Sequence, residues 1–169
     1  MSRVTLVLGG ARSGKSRYAE GLSVSYDHKT YIATAEAFDD EMRERIARHQ
    51  EQRGQGWTTI ETPYDLPGPV KDATGFVLID CVTVWIGNLM HRELHVAAEV
   101  DKLVAALETT DARVVLVSNE VGLSIVPENA LARRFRDAQG IANQRLAEVA
   151  DEVVFVAAGL PLVLKSPAR

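Results

Sequence analysis

Gly9-Gly10-Ala11-Arg12-Ser13-Gly14-Lys15-Ser16 follows the apolar run Val4-Thr5-Leu6-Val7-Leu8 and leads into a stretch of helical character. The octapeptide fits G-x-x-x-x-G-K-[ST], and a strand before with a helix after is the context that gives this pattern physical content. Gly9 and Gly14 let the backbone turn tightly and approach an anion with no Cβ in the way. Successive backbone N–H groups then line a concavity for phosphate oxygens, and the helix that starts there adds its positive end. Lys15 is placed to reach the β- and γ-phosphates, and the Ser16 hydroxyl is a ligand for Mg²⁺. An ordinary glycine-rich strand-to-helix turn is the alternative. The flanking elements and the four matched fixed positions weigh against it.

Outward from the loop, the chain alternates strands and helices. Val4 to Leu8 is a continuous apolar run of the kind a parallel sheet buries on both faces. After the loop, Ala19, Leu22 and Tyr26 fall on one helical face. Thr30-Tyr31-Ile32-Ala33-Thr34 reads as a second strand. Parallel strands bring their carboxyl ends to one edge, so Thr34 and its neighbours are candidates to line the site. Asp39 to Arg53 reads as a charged helix, capped by Asp39 or Asp40 and ended by Gly54 and Gly56. Glu41 with Arg45 and Glu44 with Arg48 are i,i+4 pairs in the favourable order. His49 shares a face with Met42 and Ile46.

Thr58 to Glu61 is a weaker strand and Pro63 to Pro69 a loop. Phe76 to Asp80 is a buried strand ending in a carboxylate. Residues 82 to 92 have mixed helical character. A helix over 95 to 109 carries the stripe Val96, Val100, Leu103, Val104 and Leu107. Arg113 to Val117 is a further buried strand. It is followed by Ser118-Asn119-Glu120 and a loop with Gly122 and Pro127. The longest helix spans about 128 to 150, with Leu131, Phe135, Ala138, Ala142, Leu146 and Val149 on one face. Glu152 to Ala157 and Leu160 to Lys165 are strands joined around Gly159, a connection so short that they must pair antiparallel. The order predicts an α/β sheet with helices on both faces, mostly parallel, closed by one antiparallel strand, in a single domain over 1–169.

With 169 residues, 46% of them hydrophobic and 25% charged, the chain has the makeup of a globular protein with room for a core. Its net charge of −4 and lack of a basic stretch argue against nucleic-acid binding. Cys81 is the single cysteine, so no internal disulfide is expected and a reducing, cytoplasmic setting fits. The N-terminus enters a strand directly and reads as no signal peptide. No apolar run approaches the ~20 residues of a membrane span.

Asp80 ends a strand of four apolar residues, where a hard carboxylate can hold Mg²⁺ opposite Ser16. A helix cap is the alternative reading, and Glu120, ending the next apolar strand, is the competing carboxylate. His49 stands one turn from Arg45 and from Arg53. It is either a favourable charge at a helix C-terminus or a ring kept neutral and nucleophilic by two cations, which could also hold a nucleotide's phosphates. Arg133, Arg134 and Arg136 crowd one region of the long helix, as a solvated face or as an edge for an anionic substrate. Trp57 and Trp85 read as packing. His28, His91 and His95 form no metal-ligand spacing with one another or with Cys81.

Several segments together resemble the CobU/CobP enzymes of cobalamin biosynthesis. They are the loop Gly9 to Ser16, Tyr31-Ile32-Ala33-Thr34, and Asp39-Asp40-Glu41-Met42 with Arg45, Ile46 and His49. More specific are Asn119-Glu120-Val121-Gly122, Ile125-Val126-Pro127-Glu128-Asn129, Leu131-Ala132-Arg133 and Phe135-Arg136-Asp137. Asn143-Gln144-Arg145-Leu146-Ala147 and Ala150-Asp151-Glu152-Val153 extend the likeness over nearly the whole chain, in order. The resemblance implies a RecA-like P-loop three-layer sandwich and a bifunctional enzyme. Such an enzyme phosphorylates the aminopropanol hydroxyl of adenosylcobinamide with ATP or GTP, then transfers GMP from GTP onto that phosphate. The family's guanylylated histidine matches His49. Its nucleotide contacts map to Gly9, Gly10, Ala11, Arg12, Ser13, Gly14, Lys15 and Ser16, to Ala33, Thr34 and Ala35, to His49, Gln50, Glu51 and Gln52, to Glu61 and to Asp80. Relatives form oligomers, trimers among them, which implies a homo-oligomer. A kinase-only enzyme and a nucleotide-binding regulator without transfer activity are the alternatives; the regulator would have no need of His49.

Overall fold

Strand side chains alternate between two faces, and in this chain both faces are apolar. Leu6, Leu8, Ile32, Val77, Ile79, Val114 and Leu116 enter one buried cluster. Val7, Tyr31, Ala33, Phe76, Leu78, Val115 and Val117 enter the other. That pattern forces a layer on each side of the sheet. A computed structural model describes residues 3–36, 40–52 and 56–166, leaving aside the side chains of Met42, Arg45, Arg48, His49, Gln50 and Gln52.

The strands are β1 (Val4–Gly9), β2 (Lys29–Ala33), β3 (Trp57–Glu61), β4 (Phe76–Asp80), β5 (Arg113–Asn119), β6 (Glu152–Ala157) and β7 (Leu160–Lys165). Among the described residues they form one seven-stranded sheet in the order β3-β2-β4-β5-β1-β6-β7. Every pairing is parallel except β6 with β7. The short Gly159 connection thus gives the antiparallel hairpin its length demands.

The helices are α1 (Lys15–Gly21), α2 (Asp40–Gln52), α3 (Pro67–Lys71), α4 (Val82–His91), α5 (Val96–Thr109) and α6 (Ala130–Val149). Helix α1, with Tyr18, Leu22 and Tyr26, covers one face of the sheet. There Tyr26, Phe76, Trp57 and Tyr31 pack ring against ring at centroid distances of 5.1 to 6.2 Å. Helices α3 to α6 supply the buried Val70, Trp85, Leu103 and Leu146 to the other face.

Three local readings of the sequence need correction. Helix α3 lies partly in the stretch read as loop. Pro67 suits a first helical turn, the Asp65 carboxylate accepts the Gly68 N–H at 3.0 Å, and Leu66 and Val70 are wholly buried on one side. Tyr26 stands beyond the end of the short α1, yet still packs on its cluster. Leu131, the first residue of the α6 stripe, is 55% exposed. Gln139 and Asn143 reach Ser118 and Asn119 at the carboxyl end of β5. The stripe is therefore covered only from Phe135 and Ala138 onward, where the helix packs against the core. Asp39, Arg53 and Gly54 lie outside the described residues.

Candidate active site

The carboxyl edge of the sheet gathers the candidates, and the strand order sets their spacing. Gly9 ends β1 and pairs in register with Asn119 of β5. The loop then folds back on itself: Ser13 N–H donates to the Gly10 carbonyl at 3.3 Å, and Lys15 Nζ donates to the same oxygen at 2.9 Å. Two glycines are obligatory for steric reasons. A Cβ on Gly9 would stand 2.5 Å from Ser13 Oγ and 2.6 Å from the Val156 carbonyl. Gly14 has φ +94°, and a Cβ there would stand 3.1 Å from Gly159 Cα. Arg12 also adopts a left-handed conformation, at φ 54°.

Lys15 is only 9% exposed. Burial lowers its pKa below the usual lysine value, while Cys81 and the Asp80 carboxylate pull it back up. That electrostatic coupling ties Asp80 to the loop although β5 lies between β4 and β1, two strand spacings or about 10 Å apart. Tyr31 OH donates to Asp80 Oδ2 at 3.0 Å and holds one of its oxygens. Burial first, and then the Asp80 charge, push the Cys81 thiol up, so Cys81 is no ready metal-binding thiolate.

The next strand out carries Ala33, Thr34 and Ala35. Thr34 is wholly buried, and its hydroxyl donates to the Cys81 carbonyl at 2.8 Å and accepts the Cys81 N–H at 3.0 Å. It clamps the ends of β2 and β4 together. Its carbonyl accepts Asn88 Nδ2 at 2.8 Å. Glu61 pairs with Ala33 at the exposed end of edge strand β3, four spacings or roughly 19 Å from β1. Helix α2 follows β2 from the same edge. Glu51 is exposed on it, whereas the His49, Gln50 and Gln52 side chains lie outside the described residues. The pairs of Glu41 with Arg45 and Glu44 with Arg48 fall outside for the same reason.

The arginines of α6 do not act as one group. Arg133 Nη1 donates to the carbonyls of Pro127 and Glu128 and so braces its own loop. Arg134 lines a cleft of about 1010 Å³ with Leu94, Leu131 and Phe135. Arg136 buries its Nη1. His95 caps α5, its Nδ1 accepting the Ala98 N–H at 3.2 Å.

Sequence reasoning missed a buried polar cluster behind the loop. Ser118 Oγ donates to Asn143 Oδ1 at 2.7 Å, and Gln139 Nε2 donates to both, at 2.9 Å each. Asn143 Nδ2 in turn donates to the Asn119 carbonyl at 3.2 Å. The available signal was polar Gln139 and Asn143 beside the apolar Ala138 and Ala142, on a helix otherwise read only for its apolar stripe.

A parallel sheet with a glycine-cradled loop, a buried lysine and a strand-end carboxylate at one edge defines a phosphate-loop nucleotide-binding protein. The fold is shared with an ATPase of a bacterial type III secretion system, at TM-score 0.57 and 10% identity over 95% of this chain. This chain spans 56% of that ATPase, and the likeness concerns the fold alone. The chain belongs to the cobinamide kinase / cobinamide phosphate guanyltransferase family, whose model matches residues 5–164. It is 41% identical to the bifunctional adenosylcobalamin biosynthesis protein CobU of Escherichia coli K12, over 95% of this chain and 98% of that one. It is 43% identical to the corresponding protein CobP of Pseudomonas aeruginosa, over 95% of this chain and 96% of that one.

Proposed function

We propose that this chain is a bifunctional enzyme of cobalamin nucleotide-loop assembly. It phosphorylates adenosylcobinamide with ATP or GTP, then transfers GMP from GTP to adenosylcobinamide phosphate, giving adenosylcobinamide-GDP. One observation carries the reading: the loop Gly9–Ser16 opens at the same sheet edge from which β2 leads into α2, the helix that bears His49.

In the kinase step the loop amides and Lys15 hold the phosphates and offset the charge that develops on them. A divalent cation fits the donor set. The Ser16 hydroxyl and the Asp80 carboxylate are hard oxygen ligands, and Ser13 Oγ is buried with no hydrogen-bond partner beside a cradle that a Cβ would fill. Among the described residues no group of three His, Cys, Asp or Glu side chains could bind a metal alone. Mg²⁺ would therefore share its shell with phosphate oxygens and water, and would supply charge neutralisation at the transferred phosphoryl group.

In the guanylyl step a neutral His49 attacks the α-phosphorus of GTP. The bond to pyrophosphate breaks and a histidine–GMP adduct forms. The phosphate of adenosylcobinamide phosphate then displaces the histidine. Ala33, Thr34, Ala35, Gln50, Glu51, Gln52 and Glu61 are the proposed nucleotide contacts away from the loop. Thr34 serves through its backbone position, since its hydroxyl is held by Cys81.

We also assign a homo-oligomer. Edge strand β7 is exposed along its whole length, with Leu160, Leu162, Val163 and Leu164 all more than half exposed. An apolar strand edge of this kind favours cover by a second copy. The free thiol of Cys81 supports a cytoplasmic setting. No helix among the described residues is long and apolar enough to cross a membrane.

Incubation with labelled GTP and Mg²⁺ tests the reading. The protein gains the mass of one GMP, the label is acid-labile, and His49→Ala abolishes it. A labelled His49→Ala protein would refute the nucleophile assignment. A wild-type protein that binds GTP without becoming labelled would favour the regulator or kinase-only reading.

A further inference from the structure

Glu120 has no part in the site derived above, yet it is fixed against the phosphate loop. Its backbone N–H donates to the Gly9 carbonyl at 3.0 Å. Its Oε1 accepts the Gly122 N–H at 2.5 Å, which anchors one carboxylate oxygen in a tight turn. The strand end beneath it is held from both sides. Asn119 N–H donates to Thr83 Oγ1 at 2.7 Å, and the Asn119 carbonyl accepts Asn143 Nδ2. Between this carboxylate and the loop opens a cleft of about 350 Å³, lined by Ala11, Asn119, Glu120, Val121, Leu123 and Ser124.

Ala11 places one wall of the cleft on the phosphate loop itself. The opposite wall offers the Glu120 carboxylate, the Ser124 hydroxyl and Asn119, whose Oδ1 is buried without a hydrogen-bond partner. The two strand-end carboxylates have different surroundings. Asp80 interacts electrostatically with Lys15 and is held by Tyr31, as a metal-side carboxylate should be. Glu120 faces the cleft, with one carboxylate oxygen held by the Gly122 N–H. A space of this size takes the alcohol-bearing arm of a larger substrate, with the exposed Leu123 as its outer wall.

We propose that Glu120 is the general base of the phosphoryl-transfer step, and that this cleft admits the acceptor alcohol. The inference rests on the kinase reading above. The carboxylate takes the hydroxyl proton as the alcohol oxygen bonds to the γ-phosphorus. The bond from that phosphorus to the β-phosphate oxygen breaks, and the nucleoside diphosphate leaves with the electron pair. Glu120 then releases its proton to solvent. The guanylyl step on His49 involves no alcohol and has no need of this carboxylate.

The test measures both half-reactions in Glu120→Gln, which keeps the shape and removes the base. Kinase kcat falls about 10²- to 10⁴-fold, the contribution typical of a positioned base. The KM for ATP stays within about threefold, because ground-state nucleotide binding is not touched. GMP-adduct formation from GTP continues at the wild-type rate, which also shows that the variant is folded. Leu123→Arg, which crowds the cleft mouth, raises the KM for the acceptor and leaves the KM for ATP unchanged. Wild-type kinase kcat in Glu120→Gln, or a parallel loss of both half-reactions, overturns the assignment. A wild-type protein that forms no phosphorylated acceptor overturns the kinase reading itself.

Discussion

The backbone N–H of Gly159 donates to the carbonyl of Ser13 at 2.7 Å, so the turn between the last two strands braces the phosphate loop near the other end of the chain. The approach is close enough that a Cβ on Gly14 would stand 3.1 Å from Gly159 Cα. The loop conformation is thus set partly by its own glycines and partly by a hairpin nearly 150 residues away.

Gly14→Ala places a side chain at φ +94° and pushes on that hairpin. We expect a stability loss of at least about 1–2 kcal/mol, the cost of a left-handed L-residue, together with weakened nucleotide binding. Gly10→Ala is the control: its Cβ meets nothing within 4 Å and its stability should match wild type. Thermal melts of both variants, with and without nucleotide, check the contrast.

Lys15 holds its charge at a stability cost. Burial lowers its folded pKa, so the unfolded chain binds that proton more tightly. The cost is present below the folded pKa and fades as pH rises towards the usual value of 10.5. Lys15→Met should leave the nucleotide-free protein at least as stable as wild type at pH 7, with both transfer activities lost. Saturating nucleotide should stabilise wild type by about 2.7 kcal/mol at 100 times Kd, and the variant far less.

Asp151 stabilises the sheet with the opposite sign. Its Oδ2 accepts the N–H groups of Arg3 and Val4 at 2.7 and 2.8 Å. Partial burial pushes its carboxyl up, but these bonds and the Arg3 and Arg113 charges bring it net below 3.8. Its contribution is complete above that value and is lost as pH falls through the lower folded pKa. Asp151→Ala should cost about 1–3 kcal/mol at pH 7, because the N–H of buried Val4 is left unpaired while that of exposed Arg3 turns to water. Chemical denaturation across the acid range should show the gap from wild type closing below 3.8.

Asn143 joins the core to the site. Asn143→Leu leaves the Ser118 hydroxyl and the Gln139 amide without their shared acceptor, Oδ1. A loss of about 2–4 kcal/mol follows, because the Ser118 hydroxyl loses its acceptor and the Asn119 carbonyl its donor, while Gln139 Nε2 keeps only its bond to Ser118 Oγ. Because Asn143 also holds the Asn119 carbonyl beside Gly9, nucleotide affinity should fall with stability. Calorimetric titration with a nonhydrolysable triphosphate measures that second effect.

Much of the fold was readable because its signals are local. The apolar runs ending at Leu8, Asp80 and Val117 are strands, and the turn at Gly159 is too short for anything but a hairpin. Helix α3 was misread because its pattern is a single turn, set by Asp65, Pro67 and two buried residues that only the fold brings to the core. Leu131 was misplaced for a different reason. Periodicity tells which residues share a helix face, and says nothing about how far along the helix that face stays covered. Within the site, the loop and Asp80 follow from pattern and position, whereas the Tyr31 bond to Asp80 and the Thr34 clamp on Cys81 join residues 47 and more positions apart.

By itself, the sequence determined that a phosphate cradle forms between the first strand and the first helix, because that geometry needs only glycines, a lysine and a strand-to-helix junction in one short segment. It determined the alternation of strands and helices on the same local grounds. Tertiary structure decided which strands became neighbours. The insertion of β5 between β1 and β4 sets Asp80 about 10 Å from the loop strand and brings Glu120 against Gly9. Strand order depends on which faces pack best once the whole chain collapses. The division of labour between the two carboxylates is a property of that packing, which no local stretch encodes.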